Sequence, residues 1–287
     1  MGRIAYVNGR FVPHGEAVVH IEDRGYQFGD AIYEVWALFD GKLGDAEGHF
    51  ARLERSLSEL SIAMPMSRAA LTLVLRETVR RNRIRDGLLY LQVSRGVAKR
   101  DHAFPNPPVR PAVIMTVSAT DRAAAEARAA KGVSVVTTPE NRWARCDIKT
   151  VNLLPNALAK QKAREVGAAE AWFVDDLGFV TEGASSNAWI VDGDGRLRTR
   201  DTNANILRGV TRHTLLDVIR REGLEVDERP FTPAEAVAAK EAFITGAGTL
   251  VLPVIAVDGH PVGEGKPGPV AARLRRLYIE QAKAAAV

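Results

Sequence analysis

The chain has a single cysteine, Cys146, among 287 residues. No disulfide can form within it. One thiol and six scattered histidines offer no ligand spacing for a structural or catalytic metal. No run of five or six like charges occurs and the formal net charge is only +4, so there is no basic stripe to attract nucleic acid or a membrane surface. No apolar run is long enough for a membrane span. The first residues, Met-Gly-Arg-Ile-Ala-Tyr-Val-Asn-Gly, pass directly into strand-like sequence without the apolar core of a signal peptide. Together with the missing disulfides, this sets a cytoplasmic location as the expectation. No Gly-x-Gly-x-x-Gly follows a strand, which argues against a dinucleotide-binding fold. There is no internal repeat.

What is present is a globular composition, 46% hydrophobic and 26% charged, in a chain of a length suited to one large domain or two ordinary ones. Residues 3–12 read as a hairpin around Asn8-Gly9. Residues 31–39 read as a strand closed by Asp40-Gly41. From 48 to 62 the apolar spacing turns helical through Phe50, Leu53, Leu57 and Leu60, and a second helix over 67–82 takes Ser67 as its cap. Strands follow at 88–94 and 112–118. Residues 121–131 read as a short helix or a linker. Beyond them, strands are expected at 133–138, 170–174, 179–181, 187–192 and 241–245, helices at 153–167, 210–223, 233–240 and 269–285, and a hairpin around Asp258-Gly259. This order predicts an α/β (α+β) chain of two domains with mostly antiparallel or mixed sheets. Residues 1–119 form a smaller N-terminal domain, 120–125 a linker and 126–287 a larger C-terminal domain.

Two residues suggest chemistry. Lys149, in Arg-Cys-Asp-Ile-Lys-Thr, has an amine that can hold an aldehyde cofactor as a Schiff base. Glu182, in Thr-Glu-Gly-Ala-Ser-Ser-Asn, has a carboxylate that can keep a pyridine nitrogen protonated. Those are the two protein groups pyridoxal 5′-phosphate (PLP) most needs. After Glu182, Gly183 and Ala184 permit close approach of a flat ring, while Ser185, Ser186 and Asn187 can bond its substituents. Gly209-Val210-Thr211-Arg212 opens a helix whose free N–H groups suit a phosphate; a plain glycine turn with a threonine cap is an equal reading of the same residues. Arg52 is either a bidentate partner for that anion or a surface helix arginine. Arg100 and His102 lie in a loop ending at Phe104-Pro105, where a guanidinium can clamp a carboxylate. Cys146 reads as a small buried apolar residue.

In order, Tyr26-Gln27-Phe28-Gly29-Asp30 with Tyr33-Glu34-Val35, His49-Phe50-Ala51-Arg52, Arg95-Gly96 with Arg100-Asp101-His102-Ala103-Phe104-Pro105, Arg142 through Lys149, Thr181 through Asn187, and Gly209-Val210-Thr211-Arg212 resemble the fold-type IV PLP enzymes, specifically the D-amino acid transaminases. The resemblance covers nearly the whole chain. It implies that Lys149 is the Schiff-base lysine and proton shuttle and that Glu182 is the partner of the pyridine nitrogen. It implies that Arg52 and the amides of Val210 and Thr211 bind the phosphate, and that Leu207 packs on the ring. Tyr33, Arg100 and His102 would then bind the substrate α-carboxylate, with Arg100 and His102 reaching in from the neighbouring subunit of a homodimer. The implied substrates are a D-amino acid of the D-alanine or D-glutamate class and a 2-oxo acid such as 2-oxoglutarate or pyruvate.

One position departs from the pattern. Ala247, in Thr245-Gly246-Ala247-Gly248-Thr249, stands where a phosphate-contacting threonine is expected. Its amide remains a donor but the hydroxyl is gone, a loss of roughly 1.5–3 kcal/mol. Looser PLP binding is the expectation. Branched-chain L-aminotransferases, (R)-amine transaminases and aminodeoxychorismate lyase share the fold and remain alternatives. The Arg100-x-His102 loop ranks the D-transaminase first. A PLP-free binding protein on the same scaffold is the alternative from another class.

Overall fold

In the computed structural model, residues 3–202 and 206–287 are described. The chain divides into two compact units. The first runs to Asp121 and also takes in Ile148–Asn152 and Ala285–Val287; the second holds Arg122–Asp147 and Leu153–Ala284. Residues 122–125, expected in a linker, are the first turn of a helix over Arg122–Lys131.

The first unit holds β1 (Ile4–Val7), β2 (Arg10–Pro13), α1 (Arg24–Phe28), β3 (Ala31–Phe39), β4 (Lys42–Leu43), α2 (Ala46–Glu59), α3 (Arg68–Asn82), β5 (Gly87–Ser94) and β6 (Ala112–Ala119). Its six strands form an antiparallel sheet ordered β2-β1-β6-β5-β3-β4. One face is apolar. Ile32 and Trp36 of β3, Leu89, Leu91 and Val93 of β5 and Met115 of β6 share a core with Phe50, Leu53 and Leu57 of α2 and Leu71 and Leu75 of α3. The helical spacing predicted from those apolar residues therefore holds. Ser67 caps α3 by accepting the Ala70 N–H at 3.3 Å. Alternation along the strands sends Tyr33, Tyr90 and Gln92 to the opposite face, only half-buried.

The segment 148–152 lies along β3. Tyr33 N donates to Lys149 O at 3.0 Å, Val151 N donates to Ala31 O at 3.1 Å, and Ile32 and Thr150 form an antiparallel bridge. The same alternation that buries Ile148 in the core turns Lys149 to the face of Tyr33.

The second unit holds α4 (Arg122–Lys131), β7 (Val133–Pro139), α5 (Leu154–Glu165), β8 (Glu170–Val174), β9 (Val180–Gly183), β10 (Asn187–Val191), β11 (Leu197–Thr199), α6 (Val210–Arg221), β12 (Val226–Asp227), α7 (Pro233–Ala238), β13 (Glu241–Gly246), β14 (Leu250–Val257), β15 (His260–Pro261) and α8 (Pro269–Ala284). Its mixed sheet is ordered β12-β11-β10-β13-β14-β7-β8-β9, with β15 on β14. Trp172, Ile190, Phe231, Ile244 and Leu252 are buried in its core. Ala159 and Ala163, one turn apart on α5, pack with Ala171 and Phe173 of β8. Among the described residues, no helix is long and apolar enough to cross a membrane.

Candidate active site

Lys149 is half-buried. Its Nζ lies 4.2 Å from the centroid of the Tyr33 ring, and its backbone N–H donates to Ser56 Oγ at 3.4 Å. Tyr33 stacks on Tyr90 with centroids 5.6 Å apart, and the Tyr90 hydroxyl donates to Gln92 Oε1 at 2.9 Å. Burial, with the neighbouring Tyr33 adding to it, pushes the Tyr90 phenol up to about 12. It is therefore a neutral donor throughout the working pH range.

On the core face of β3, Glu34 is fully buried. Its carboxylate accepts Arg52 Nε at 2.7 Å and Nη2 at 2.8 Å, and lies 2.7 Å from His49 Nδ1. Burial alone would raise its pKa. The Arg52 charge and the bonds from Arg52 and His49 outweigh it and hold the carboxyl far below the usual range. Burial pushes His49 down, against the pull of Glu34, which favours a neutral ring. Arg52 is thus fixed by a two-point clamp and is not the surface helix arginine of the alternative reading.

In the second unit, a tight turn brings Glu182 and Asn187 together. Gly183 N donates to Ser186 O at 2.7 Å, and a Cβ at Gly183 would meet Ser186 Oγ at 2.3 Å, so a larger residue would have to displace the Ser186 hydroxyl. Glu182 accepts Arg142 Nη1 at 2.5 Å, Asn187 Nδ2 at 3.1 Å and the Leu207 N–H at 3.2 Å. Asn187 Nδ2 also donates to Leu207 O at 3.1 Å, which ties the predicted ring-packing residue to the predicted nitrogen partner. Burial pushes the Glu182 carboxyl up, against Arg142 and the Leu207 amide. Arg142 pairs with Glu140 as well, Nε at 2.8 Å and Nη2 at 2.6 Å. Burial works against its charge, but the Glu140 bonds and the two carboxylates keep its pKa above the ordinary value. Ser185 and Ser186 both donate to Glu170 Oε2, at 2.8 and 3.0 Å.

The start of α6 is built for an anion. Gly209 is the N-cap, in extended conformation, and has no side chain with which to cap the helix. Val210 and Thr211 are nevertheless buried. The first N–H groups of a helix have no acceptor within the helix, and a phosphate can supply one. A Cβ on Gly209 would come within 2.0 Å of Asn187 Oδ1. Ala247 lies in the half-buried turn between β13 and β14. In the same turn, Thr249 Oγ1 is buried with no hydrogen-bond partner among the described residues. Arg275 of α8 steadies the turn by donating to Thr249 O at 3.1 Å and Val251 O at 2.7 Å.

The predicted residues thus fall into separate groups. Lys149 shares a face with Tyr33, and Arg52 is clamped to Glu34 on the other side of β3. Glu182, Asn187 and Leu207 form one hydrogen-bonded cluster, while Ser186 is engaged with Glu170. Arg100 and His102 are exposed, and among the described residues no hydrogen bond or ring contact joins either to Tyr33. Sequence reasoning assigned no role to Arg142 or Glu34, although each stands inside a quoted motif, nor to Tyr90, which lies in the strand expected at 88–94.

Residues 31–257 match the Amino-transferase class IV family. The chain belongs to the class IV aminotransferases. It is 40% identical over 279 residues to the D-alanine aminotransferase of Staphylococcus haemolyticus, covering 96% of this chain and 97% of the relative. It is 41% identical over 263 residues to that of Bacillus licheniformis, covering 92% and 91%. Among solved structures, a T.th. branched-chain amino acid aminotransferase with pyridoxamine 5′-phosphate superposes with a TM-score of 0.88 at 28% identity, covering 98% of this chain and 94% of the other. The branched-chain enzyme of Escherichia coli superposes at 0.91 with 24% identity, covering 98% and 95%, a likeness of fold. Class IV aminotransferases use PLP. The donor set here suits it: a buried carboxylate beside a fixed guanidinium for a ring nitrogen, a helix start on glycine for a phosphate, and a half-buried lysine.

Proposed function

We propose that this class IV aminotransferase acts on D-amino acids, moving the amino group of a D-alanine- or D-glutamate-class donor to a 2-oxo acid. The observation that carries the reading is the 38–41% identity, over more than nine-tenths of the chain, to relatives named D-alanine aminotransferase. The Arg100-x-His102 loop agrees with it.

Bound PLP supplies an electron sink at the carbon bearing the amino group. Lys149 is the residue that holds the cofactor, and its amine carries the proton taken from the substrate Cα. Glu182 would accept a hydrogen bond from the protonated ring nitrogen, and Arg142 keeps its carboxylate oriented. The amides of Val210, Thr211 and Ala247 and the guanidinium of Arg52 meet the phosphate. Leu207 packs on the ring, with Ser186 and Asn187 ordering its surroundings. Tyr33, Arg100 and His102 bind the α-carboxylate. The family resemblance implies that Arg100 and His102 serve the site of a second copy in a homodimer, and their exposure is compatible with that role.

The test is product formation by the purified, PLP-loaded protein. With D-alanine and 2-oxoglutarate, pyruvate and D-glutamate are expected, and Lys149→Ala should make neither. L-leucine as the better donor would replace this reading with a branched-chain L-aminotransferase, the activity named for the superposing structures.

A further inference from the structure

The stretch between β5 and β6 that carries Arg100 and His102 has no helix or ladder strand to hold it. A buried polar cluster does so instead. Asp30, at the start of β3, is shared by two arginines. Arg95 Nε and Nη2 donate to Asp30 Oδ2 and Oδ1 at 2.7 and 3.0 Å. Arg95 also donates to Ser61 O at 3.0 Å and Leu60 O at 2.7 Å. Arg24 Nε donates to the same Asp30 Oδ2 at 2.8 Å. The rest of the Arg24 guanidinium turns to the loop: Nη1 donates to Asp101 O at 2.6 Å and Nη2 to His102 O at 3.3 Å. Arg24 is itself only 3% exposed. It is fixed from behind, since Arg24 N donates to Gly96 O at 2.9 Å and its guanidinium carbon lies 4.6 Å from the centroid of the Phe28 ring. That ring makes an edge contact with His102 at 5.5 Å and lies 5.2 Å from the Arg100 guanidinium carbon. At the far end, the Phe104 ring covers Arg95 at 3.5 Å.

Two carbonyls of an otherwise irregular loop are thus tied to the largely covered Asp30 carboxylate through one side chain. A fixed Asp101 carbonyl sets the peptide plane between Asp101 and His102, one residue beyond Arg100, and a fixed His102 carbonyl sets the one after His102. We infer that Arg24 is a positioning residue for substrate recognition: it touches no substrate, but it orders the loop so that Arg100 and His102 are presented in one geometry. The inference rests on the proposed role of Arg100 and His102 at the α-carboxylate. Preorganisation of this kind acts on substrate binding, where each ordered side chain otherwise opposes association.

The test uses the PLP-loaded enzyme and compares Arg24→Met, Arg24→Lys and Arg100→Ala/His102→Ala, alone and combined, with spectra and thermal midpoints recorded for each. Arg24→Met should raise KM for both D-alanine and 2-oxoglutarate roughly ten- to a hundredfold, the scale of charge-assisted hydrogen bonds, with kcat little changed. The absorbance of bound PLP should not move. Arg24→Lys keeps the charge beside Asp30 with fewer donors, and should give a smaller rise in the same direction. Added to Arg100→Ala/His102→Ala, either Arg24 variant should raise KM no further, because the groups it positions are gone. A wild-type KM in folded Arg24 variants overturns the inference, as does a full further rise in the combined variant. If Arg24→Met does not fold, Arg24→Lys and its combined form decide by the same criteria. If Arg100→Ala/His102→Ala itself keeps the wild-type KM, the proposed carboxylate clamp falls and takes the inference with it. A raised KM there beside normal Arg24 variants removes only Arg24.

Discussion

Substituting Glu34 by Gln keeps the shape of the side chain and removes its charge. In the wild type, Glu34 has no solvent exposure and neutralises Arg52, whose side chain is 10% exposed. Glutamine can accept at one oxygen only, and its amide group would face a guanidinium donor. Leaving one member of a buried pair uncompensated costs about 3–5 kcal/mol; for a unit of this size, that lowers the thermal midpoint by roughly 10 °C. The effect has a pH signature. The carboxyl is held below its ordinary value of 4.5, so its contribution to stability is complete above that value and is lost as pH falls toward the folded-state pKa. Each unit of pH in that interval removes about 1.4 kcal/mol. His49 bonds Glu34 and its titration is linked to that of the carboxyl, so both proteins should carry His49→Gln. Urea unfolding followed by circular dichroism should then give a gap of about 3 kcal/mol or more at pH 7 that narrows by about 1 kcal/mol between pH 4.5 and 3.5, since the unfolded carboxyl is only half protonated at the upper value. A gap below about 1 kcal/mol at pH 7, the scale of a solvated surface pair, would refute the reasoning. So would a gap equal at all three pH values.

Three further outcomes follow from the second unit. Ala247→Thr restores a hydroxyl to the phosphate turn and should tighten PLP roughly ten- to a hundredfold, measured by equilibrium dialysis; equal dissociation constants would show that the backbone amide suffices. Gly209→Ala forces a Cβ against Asn187 Oδ1 and should weaken PLP binding by about tenfold or more through the displaced Asn187 and the altered helix start; unchanged affinity would mean the turn relaxes freely. Arg142→Leu leaves Glu140 and Glu182 without their cation. Burial already raises the Glu182 carboxyl, and a raised carboxyl stabilises less as pH climbs through its folded value. The stability deficit of this variant in the PLP-free protein should therefore be larger at pH 8 than at pH 5, and a deficit independent of pH would contradict that account.

The parts of the fold that could be read from sequence are those where local pattern and tertiary role coincide. Phe50, Leu53 and Leu57 announce α2 because their spacing is the buried stripe itself. Ser67 announces the start of α3 because its cap is local. By contrast, α1 is only Arg24–Phe28, too short for a periodic signal, and is bounded by the Asp23 cap and the left-handed Gly29. Pro253 hid the first half of β14, since proline usually marks a strand edge; here the strand faces β13 from Leu250 onward, but pairing with β7 begins only at Val254. In the site, Lys149, Glu182 and the Gly209 helix start carry their chemistry in residue type and neighbours. Arg142 and Arg24 look like any of the scattered arginines. Their significance lies in which carboxylate or carbonyl they meet, and that is decided by contacts between residues far apart in the chain.

The placement of Lys149 has a consequence for synthesis. Its backbone is bonded to Tyr33, and the neighbouring Val151 to Ala31, yet more than a hundred residues separate lysine from tyrosine. At about 5–20 residues per second, β3 waits roughly 6–25 s on the ribosome for the segment that completes its edge. During that time the edge beside Ile32 has no Ile148–Asn152 to cover it, and an uncovered strand edge can pair with another chain. The yield of soluble protein should therefore depend on what protects a nascent chain in that interval, before the residue that holds the cofactor has been made.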